Sequence, residues 1–114
     1  MNTAIWLIRL GAALNMVPFG IHQMANPQAW ETYLPEAVKK MSPLSPGTQM
    51  RVHALGNIVF GLFLLSGFHP LIGTWIAIIW YLTILPFAFW KDWTIGLRDS
   101  AITLALVGLV FLLK

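Results

Sequence analysis

Apolar side chains fill four long stretches of the chain, at residues 3–22, 50–68, 71–90 and 94–113, and polar residues concentrate between them. Each stretch is close to the ~20 residues that a helix needs to cross the hydrocarbon core of a bilayer. The pattern therefore predicts an all-α fold, an integral membrane antiparallel four-helix bundle. The turns after the second and third stretches are short, so consecutive helices there should be neighbours. We expect residues 1–114 to form a single membrane domain.

The connection between the first two stretches is long, and its own apolar residues recur at helical spacing. Asn26 and Pro27 match an N-cap followed by a first-turn proline. The apolar positions that follow are Trp30, Tyr33, Leu34, Ala37 and Val38. We expect a short amphipathic helix over residues 27–40 that lies flat at the membrane interface, where Trp and Tyr side chains are favoured.

Composition supports a membrane protein and excludes several functions. Hydrophobic residues make up 58% of the chain and charged residues 10%, far from the balance of a soluble domain. The net charge of +3 is scattered, which argues against a nucleic-acid partner. Without cysteine there is no disulfide, thiol or thiolate metal chemistry, and the three histidines lack metal-ligand spacing. The first stretch has no positively charged region before it, so we expect it to be retained rather than cleaved as a signal peptide.

Basic residues indicate how the bundle is oriented. Lys39, Lys40, Arg51 and Lys91 lie near the side that carries the long connection. The positive-inside rule places that side in the cytoplasm.

Polar residues interrupt all four apolar stretches at a similar depth. The rise of a helix places Asn15, Asn57, Tyr81 and Asp99 roughly 8–12 Å from the side with the long connection. His53 shares a face with Asn57, and Arg98 precedes Asp99. These residues either bind a small polar head group in a cavity reached beneath the connection, or hydrogen-bond one another as packing contacts. An internal Arg98–Asp99 salt bridge is a third interpretation, and Arg9 is expected to extend to the opposite membrane surface.

Several short motifs resemble a known family. They are Arg9-Leu10-Gly11, the segment FGIHQMANPQAW at residues 19–30, Tyr33-Leu34-Pro35 and Arg98-Asp99. Together they resemble the DoxX family of small four-helix membrane proteins. The resemblance implies a bacterial or archaeal cytoplasmic membrane, and some relatives are hydrophobic subunits of sulfur-compound:quinone oxidoreductases. The resemblance carries over Arg98, Asp99 and Arg9 as positions shared with the family. Gln23-Met24 departs from the basic residue that is usual in the family before the Asn-Pro turn.

The polar layer and the resemblance allow three functions. Because the chain offers no nucleophile–base pair, metal set or cofactor fingerprint, we expect a non-catalytic module that anchors or assists a membrane redox complex. The alternative is a quinone- or lipid-binding subunit of an oxidoreductase that uses Asn15, His53, Asn57, Tyr81, Arg98 and Asp99. A small transporter is disfavoured by the lack of an inverted repeat. The expected partners are membrane lipids and a partner protein or second copy, and a bound quinone is the expected cofactor only for the alternative.

Overall fold

The computed structural model describes residues 3–41 and 43–114, and these residues are mostly helical with no strand among them. The all-α prediction is therefore confirmed. Four helices are long: α1 (Thr3–Ala25), α3 (Pro46–Ser66), α4 (Pro70–Lys91) and α5 (Trp93–Leu113). Between α1 and α3 lie two 3-10 turns, at Pro27–Ala29 and Glu31–Tyr33, and a six-residue helix α2 (Glu36–Met41).

Three of these helices, α1, α4 and α5, are long and apolar enough to cross a membrane. Helix α3 has a similar length of 21 residues but is not in that group. Its first twelve residues carry Gln49, Arg51, His53 and Asn57, which lower its hydropathy. An integral membrane protein is compatible with this architecture.

Local capping determines where the long helices begin and end. The Ser45 hydroxyl accepts a hydrogen bond from the backbone N–H of Thr48, and Pro46 occupies the first turn. Helix α3 therefore begins four residues before the predicted start at residue 50, because an N-cap serine followed by proline is a strong helix start. Gly67 ends α3 in the left-handed region with φ 75°. Asp92 alone separates α4 from α5 and caps α5 by accepting from the N–H of Thr94 at 3.0 Å.

The prediction of one amphipathic helix over residues 27–40 is wrong. The connection is broken at Leu34, which is extended with φ −92° and ψ 115°. Proline disfavours helical geometry in the residue before it, and Pro35 follows Leu34. Asn26 makes no side-chain cap either. The segment is a chain of short turns that ends in α2.

The bundle consists of two closely packed antiparallel pairs, α1 with α3 and α4 with α5, which meet less extensively along α1/α5 and α3/α4. Gly20 permits the close approach within the first pair, because a Cβ there would lie 3.0 Å from the carbonyl oxygen of Ala54. Met16, Leu64, Ala77 and Leu106, one from each long helix, form part of the shared core. The weaker contact between the pairs leaves space for a cavity.

Arg9 differs from its predicted position, because it is buried with 1% of its surface exposed. Its Nε donates to the carbonyl oxygen of Leu64 at 3.0 Å, and Nη2 donates to that of Leu65 at 2.9 Å. These carbonyls belong to the last turn of α3, where helices leave acceptors without intrahelical donors. The guanidinium also lies 5.0 Å from the ring centroid of Trp6. Arg9 therefore caps α3 instead of extending to the membrane surface.

Candidate functional site

A cavity of about 260 Å³ lies between the two helix pairs, at the end of the bundle where the connecting segment runs. All four long helices and the connecting segment contribute to its lining. The six residues predicted from the sequence all line it: Asn15, His53, Asn57, Tyr81, Arg98 and Asp99. The structure thus brings the whole predicted set together, and its role in ligand binding stays a prediction.

Asn57 is the centre of a hydrogen-bond network on the α3 side of the cavity. Its amide oxygen accepts from Trp80 Nε1 at 2.7 Å, and its amide nitrogen donates to Gln23 Oε1 at 2.9 Å. A longer contact of 3.4 Å joins the same nitrogen to His53 Nε2. These contacts use both donors and one acceptor position of the amide. Asn57 therefore joins α1, α3 and α4, and it has little capacity left for a ligand.

His53 packs on the same network through its ring. The imidazole stacks on Trp80 with centroids 5.0 Å apart and an interplanar angle of 19°. Gly56, one turn away, makes room for this indole, because a Cβ at Gly56 would collide with the Trp80 ring. The indole is held between the two residues, which fixes the orientation of the imidazole at the cavity wall.

Asn15 and Tyr81 form a second polar contact, between α1 and α4. The Asn15 amide nitrogen donates to the Tyr81 hydroxyl oxygen at 2.7 Å. The hydroxyl hydrogen has no acceptor among the described residues. Since Tyr81 is buried and lines the cavity, its O–H is a donor available to a bound molecule.

The Arg98–Asp99 pair forms the α5 side of the cavity. Arg98 Nε and Nη2 each donate to Asp99 Oδ1 at 3.2 Å. Asp99 is 4% exposed, whereas the Arg98 side chain is 42% exposed. The Arg98 guanidinium also lies 5.0 Å from the Phe19 ring centroid. The pair therefore consists of a buried carboxylate and a guanidinium that is partly exposed. Thr103 does not join it by its side chain, because its hydroxyl donates to the backbone oxygen of Asp99.

Aromatic rings of the connecting segment close the outer end of the cavity. Trp30 contacts Phe19 and Tyr33 at centroid distances of 5.7 and 5.5 Å, and Trp30 Nε1 donates to His22 Nδ1 at 2.7 Å. Partial burial and the nearby Asp92 carboxylate raise the pKa of Tyr33, and the Arg98 guanidinium opposes this shift. The Tyr33 hydroxyl thus shares its electrostatic environment with the charged wall of the cavity.

The sequence-based set omitted several lining residues, notably Phe19, Gln23, Trp30 and Tyr33. Gln23 is buried and accepts a hydrogen bond from Asn57. The available signal was its spacing, because Asn15, Phe19 and Gln23 recur every four residues and so share one helix face. Trp30 and Tyr33 were predicted to lie at the membrane interface, on a single helix that the structure does not contain.

The arrangement can bind a molecule, and it offers both hydrogen-bond donors and acceptors. Tyr81 and Arg98 can donate, Asp99 can accept, and the aromatic and aliphatic lining can hold apolar atoms. In the part of the chain that the structure describes, no group of three His, Asp or Glu side chains is placed to hold a metal ion. Comparison of the chain with protein-family models, with curated proteins and with solved structures found no match.

Proposed function

We propose that this protein is an integral membrane protein whose four long helices span the bilayer and whose cavity binds the polar head of a small amphipathic molecule, a lipid or a quinone. One observation supports it above all others: polar side chains from every long helix line a single cavity that is otherwise apolar and aromatic. Pockets of this kind, mostly apolar with a few convergent polar groups, are the usual form of small-molecule sites.

The size of the cavity favours a head group over a whole ligand. Its volume of about 260 Å³ is just below the ~300–1,000 Å³ of pockets that enclose drug-sized molecules. A head group or a single ring fits such a space, while an attached tail would remain in the surrounding lipid. The exposed apolar side chains along the helices are suited to that environment.

Membrane burial also gives a reason for the polar network. In a bilayer the backbone and side-chain polar groups of a helix must find partners inside the protein. Asn57 accepts from Trp80 and donates to Gln23, which occupies most of its capacity, while Tyr81, Arg98 and Asp99 keep hydrogen-bonding capacity for a ligand. The ligand site proposed here therefore centres on these three residues.

The setting of the protein forms part of the proposal. The DoxX resemblance, whose Arg98-Asp99 motif lines the cavity, supports a bacterial or archaeal cytoplasmic membrane. The basic residues near the connecting segment support a cytoplasmic position for it. The resemblance also supports association with a partner protein of a redox complex or with a second copy. A purely structural module for such a complex would need the hydrogen-bond network but no cavity.

Blocking the cavity tests the binding function. Val38 lines the cavity from α2, and the neighbouring Ala37 is exposed and does not. In protein extracted with its native lipids, mass spectrometry should detect a bound amphiphile in the wild type and in Ala37→Trp, and a loss of it in Val38→Trp. An equal amount in all three proteins, or none in the wild type, would contradict the proposal.

Labelling tests the four spans. Single cysteines at Gln28 and Lys114, both exposed, should react with an impermeant thiol reagent from opposite sides of the membrane. If both react from one side, then α3 does not cross the bilayer.

A further inference from the structure

We propose that the head group recognised in this cavity is zwitterionic, with a primary ammonium that binds Asp99 and a neighbouring anionic group that binds Arg98. The proposal rests on the function proposed above and names the chemical class of its ligand. An aminophospholipid has this head chemistry, and so does any other amphiphile that carries an ammonium next to a phosphate.

The first argument is the unfinished coordination of the Asp99 carboxylate. Asp99 is 4% exposed, and a carboxylate buried to this degree needs strong partners. Only Oδ1 accepts hydrogen bonds from described residues, and both bonds are 3.2 Å long. Charge-assisted N–H···O bonds are usually shorter, roughly 2.7–2.9 Å. Oδ2 accepts none from the described residues, so it is available to a donor in the cavity that Asp99 lines.

The second argument is the exposure of Arg98. This side chain is 42% exposed, and its Nη1 makes no hydrogen bond to a described residue. The guanidinium presents several donors in a planar fork that suits phosphate and carboxylate oxygens. A ligand with both charges can therefore insert beside the pair, place its cation on Asp99 and its anion on Arg98, and leave the net charge of the site unchanged.

Aromatic rings supply a third argument for a cation. Tyr33, Tyr81 and Phe87 line the cavity together with the carboxylate. The faces of aromatic rings attract cations, most strongly where water is excluded. The Arg98 guanidinium already lies over Phe19 at 5.0 Å, which shows that the cavity mouth holds a cation in this way.

Other head groups fit the charges less well. A purely anionic head would meet the buried Asp99 carboxylate, and like charges there are repelled strongly. A neutral head with carbonyl oxygens could accept from Tyr81 and Arg98, but it has no donor for Asp99 Oδ2. A zwitterion satisfies both the acceptor and the donors of the site.

A series of probes with one decyl chain and different heads tests the proposal. The probes are decylammonium, decanol, decyl phosphate and decyl phosphoethanolamine, compared with a short-chain benzoquinone. Affinity is measured as the ligand-dependent rise in melting temperature of the full chain in a neutral detergent. We expect decyl phosphoethanolamine to bind most tightly and decylammonium next. Decanol and decyl phosphate should bind about thirtyfold or more weakly than decyl phosphoethanolamine, because losing one partner of a buried charge pair usually has an effect of this size.

Variants separate the two charges. Asp99→Asn should remove the preference for decylammonium over decanol, and Arg98→Gln should weaken decyl phosphoethanolamine while sparing decylammonium. Because Asp99→Asn leaves Arg98 unpaired and could unfold the bundle, the double variant with both changes provides a neutral version of the site. It should bind all four decyl probes with similar affinity.

The outcomes distinguish the inference from the proposed function. If decanol, decyl phosphate or the quinone binds as tightly as the zwitterion, the head-group inference is overturned and the cavity remains a binding site. The same conclusion follows if the double variant keeps the ammonium preference. If no probe binds, both the inference and the proposed function fail.

Discussion

The buried Arg9 cap leads to the prediction with the largest expected effect on stability. The guanidinium is 1% exposed and donates two hydrogen bonds to the last turn of α3, at 3.0 and 2.9 Å. A hydrogen bond to a charged group contributes about 1.5–3 kcal/mol. The cation also lies at the negative end of the α3 dipole and within 5.0 Å of the Trp6 ring centroid. Arg9→Met keeps a flexible, unbranched side chain that is shorter than arginine, and it removes the charge and both hydrogen bonds.

We expect Arg9→Met to lower the free energy of unfolding by about 3 kcal/mol, the lower end of what two hydrogen bonds from a charged group contribute together. The stability of Arg9→Lys should lie between those of the wild type and Arg9→Met, because one ammonium cannot reproduce the planar fork of the guanidinium. The control is Arg51→Met, since Arg51 is exposed on α3 and its replacement should change stability by less than about 0.5 kcal/mol. Reversible unfolding in mixed micelles measures all three variants. Equal stability of the two Arg→Met variants would refute the assignment of Arg9 as a buried cap.

Three further predictions follow from other contacts. Gly11→Ala should leave stability unchanged or raise it by up to about 1 kcal/mol, because a Cβ there meets nothing within 4 Å. Gly20→Ala should destabilise the protein by forcing α1 away from α3, so thermal unfolding should show a lower melting temperature for Gly20→Ala and not for Gly11→Ala. Trp80→Phe should cost about 1–3 kcal/mol by leaving a buried amide oxygen without its donor, while Trp75→Phe, at an exposed position of the same helix, should be neutral in the same assay. Tyr33 should ionise at a higher pH than an ordinary tyrosine, since burial and a nearby carboxylate raise its pKa, and the difference between the alkaline absorbance titrations of wild type and Tyr33→Phe measures it; a normal midpoint would contradict its position at the cavity.

The long helices were predictable because their apolar stretches are continuous and each is close to the ~20 residues that a bilayer-spanning helix needs. Their starts were harder to predict, as α3 shows, since Ser45 and Pro46 form a helix start that a pattern of apolar residues does not include. In the connecting segment, by contrast, a continuous helix was predicted that the structure does not contain. Its apolar spacing indicated a helix, but one proline at position 35 was sufficient to break it.

The candidate site was predictable to the extent that helical rise gives depth. Residues at one depth from four helices must lie in one layer, and the structure places all six of the predicted ones around one cavity. Depth alone could not tell which of them are already satisfied by neighbours. That distinction depends on side-chain directions between helices, which join Asn57 to Gln23 and leave Asp99 with one free oxygen. For the same reason Arg9, which lies close in space to residues 55 positions away, was assigned to the wrong environment.

The single-residue turn at Asp92 has a consequence for how the chain can tolerate changes in length. The buried residues of α5 recur every three or four positions, at Gly96, Asp99, Thr103 and Leu106. Their angular position around the helix axis is set by where α5 begins, and one inserted residue would rotate everything after it by about 100° and shift it by about 1.5 Å. Asp99 would then turn away from the cavity, although no residue of the site had been replaced. The length of this turn is therefore part of the information that specifies the site, and insertions or deletions here should be excluded more strictly than most substitutions in the helix itself.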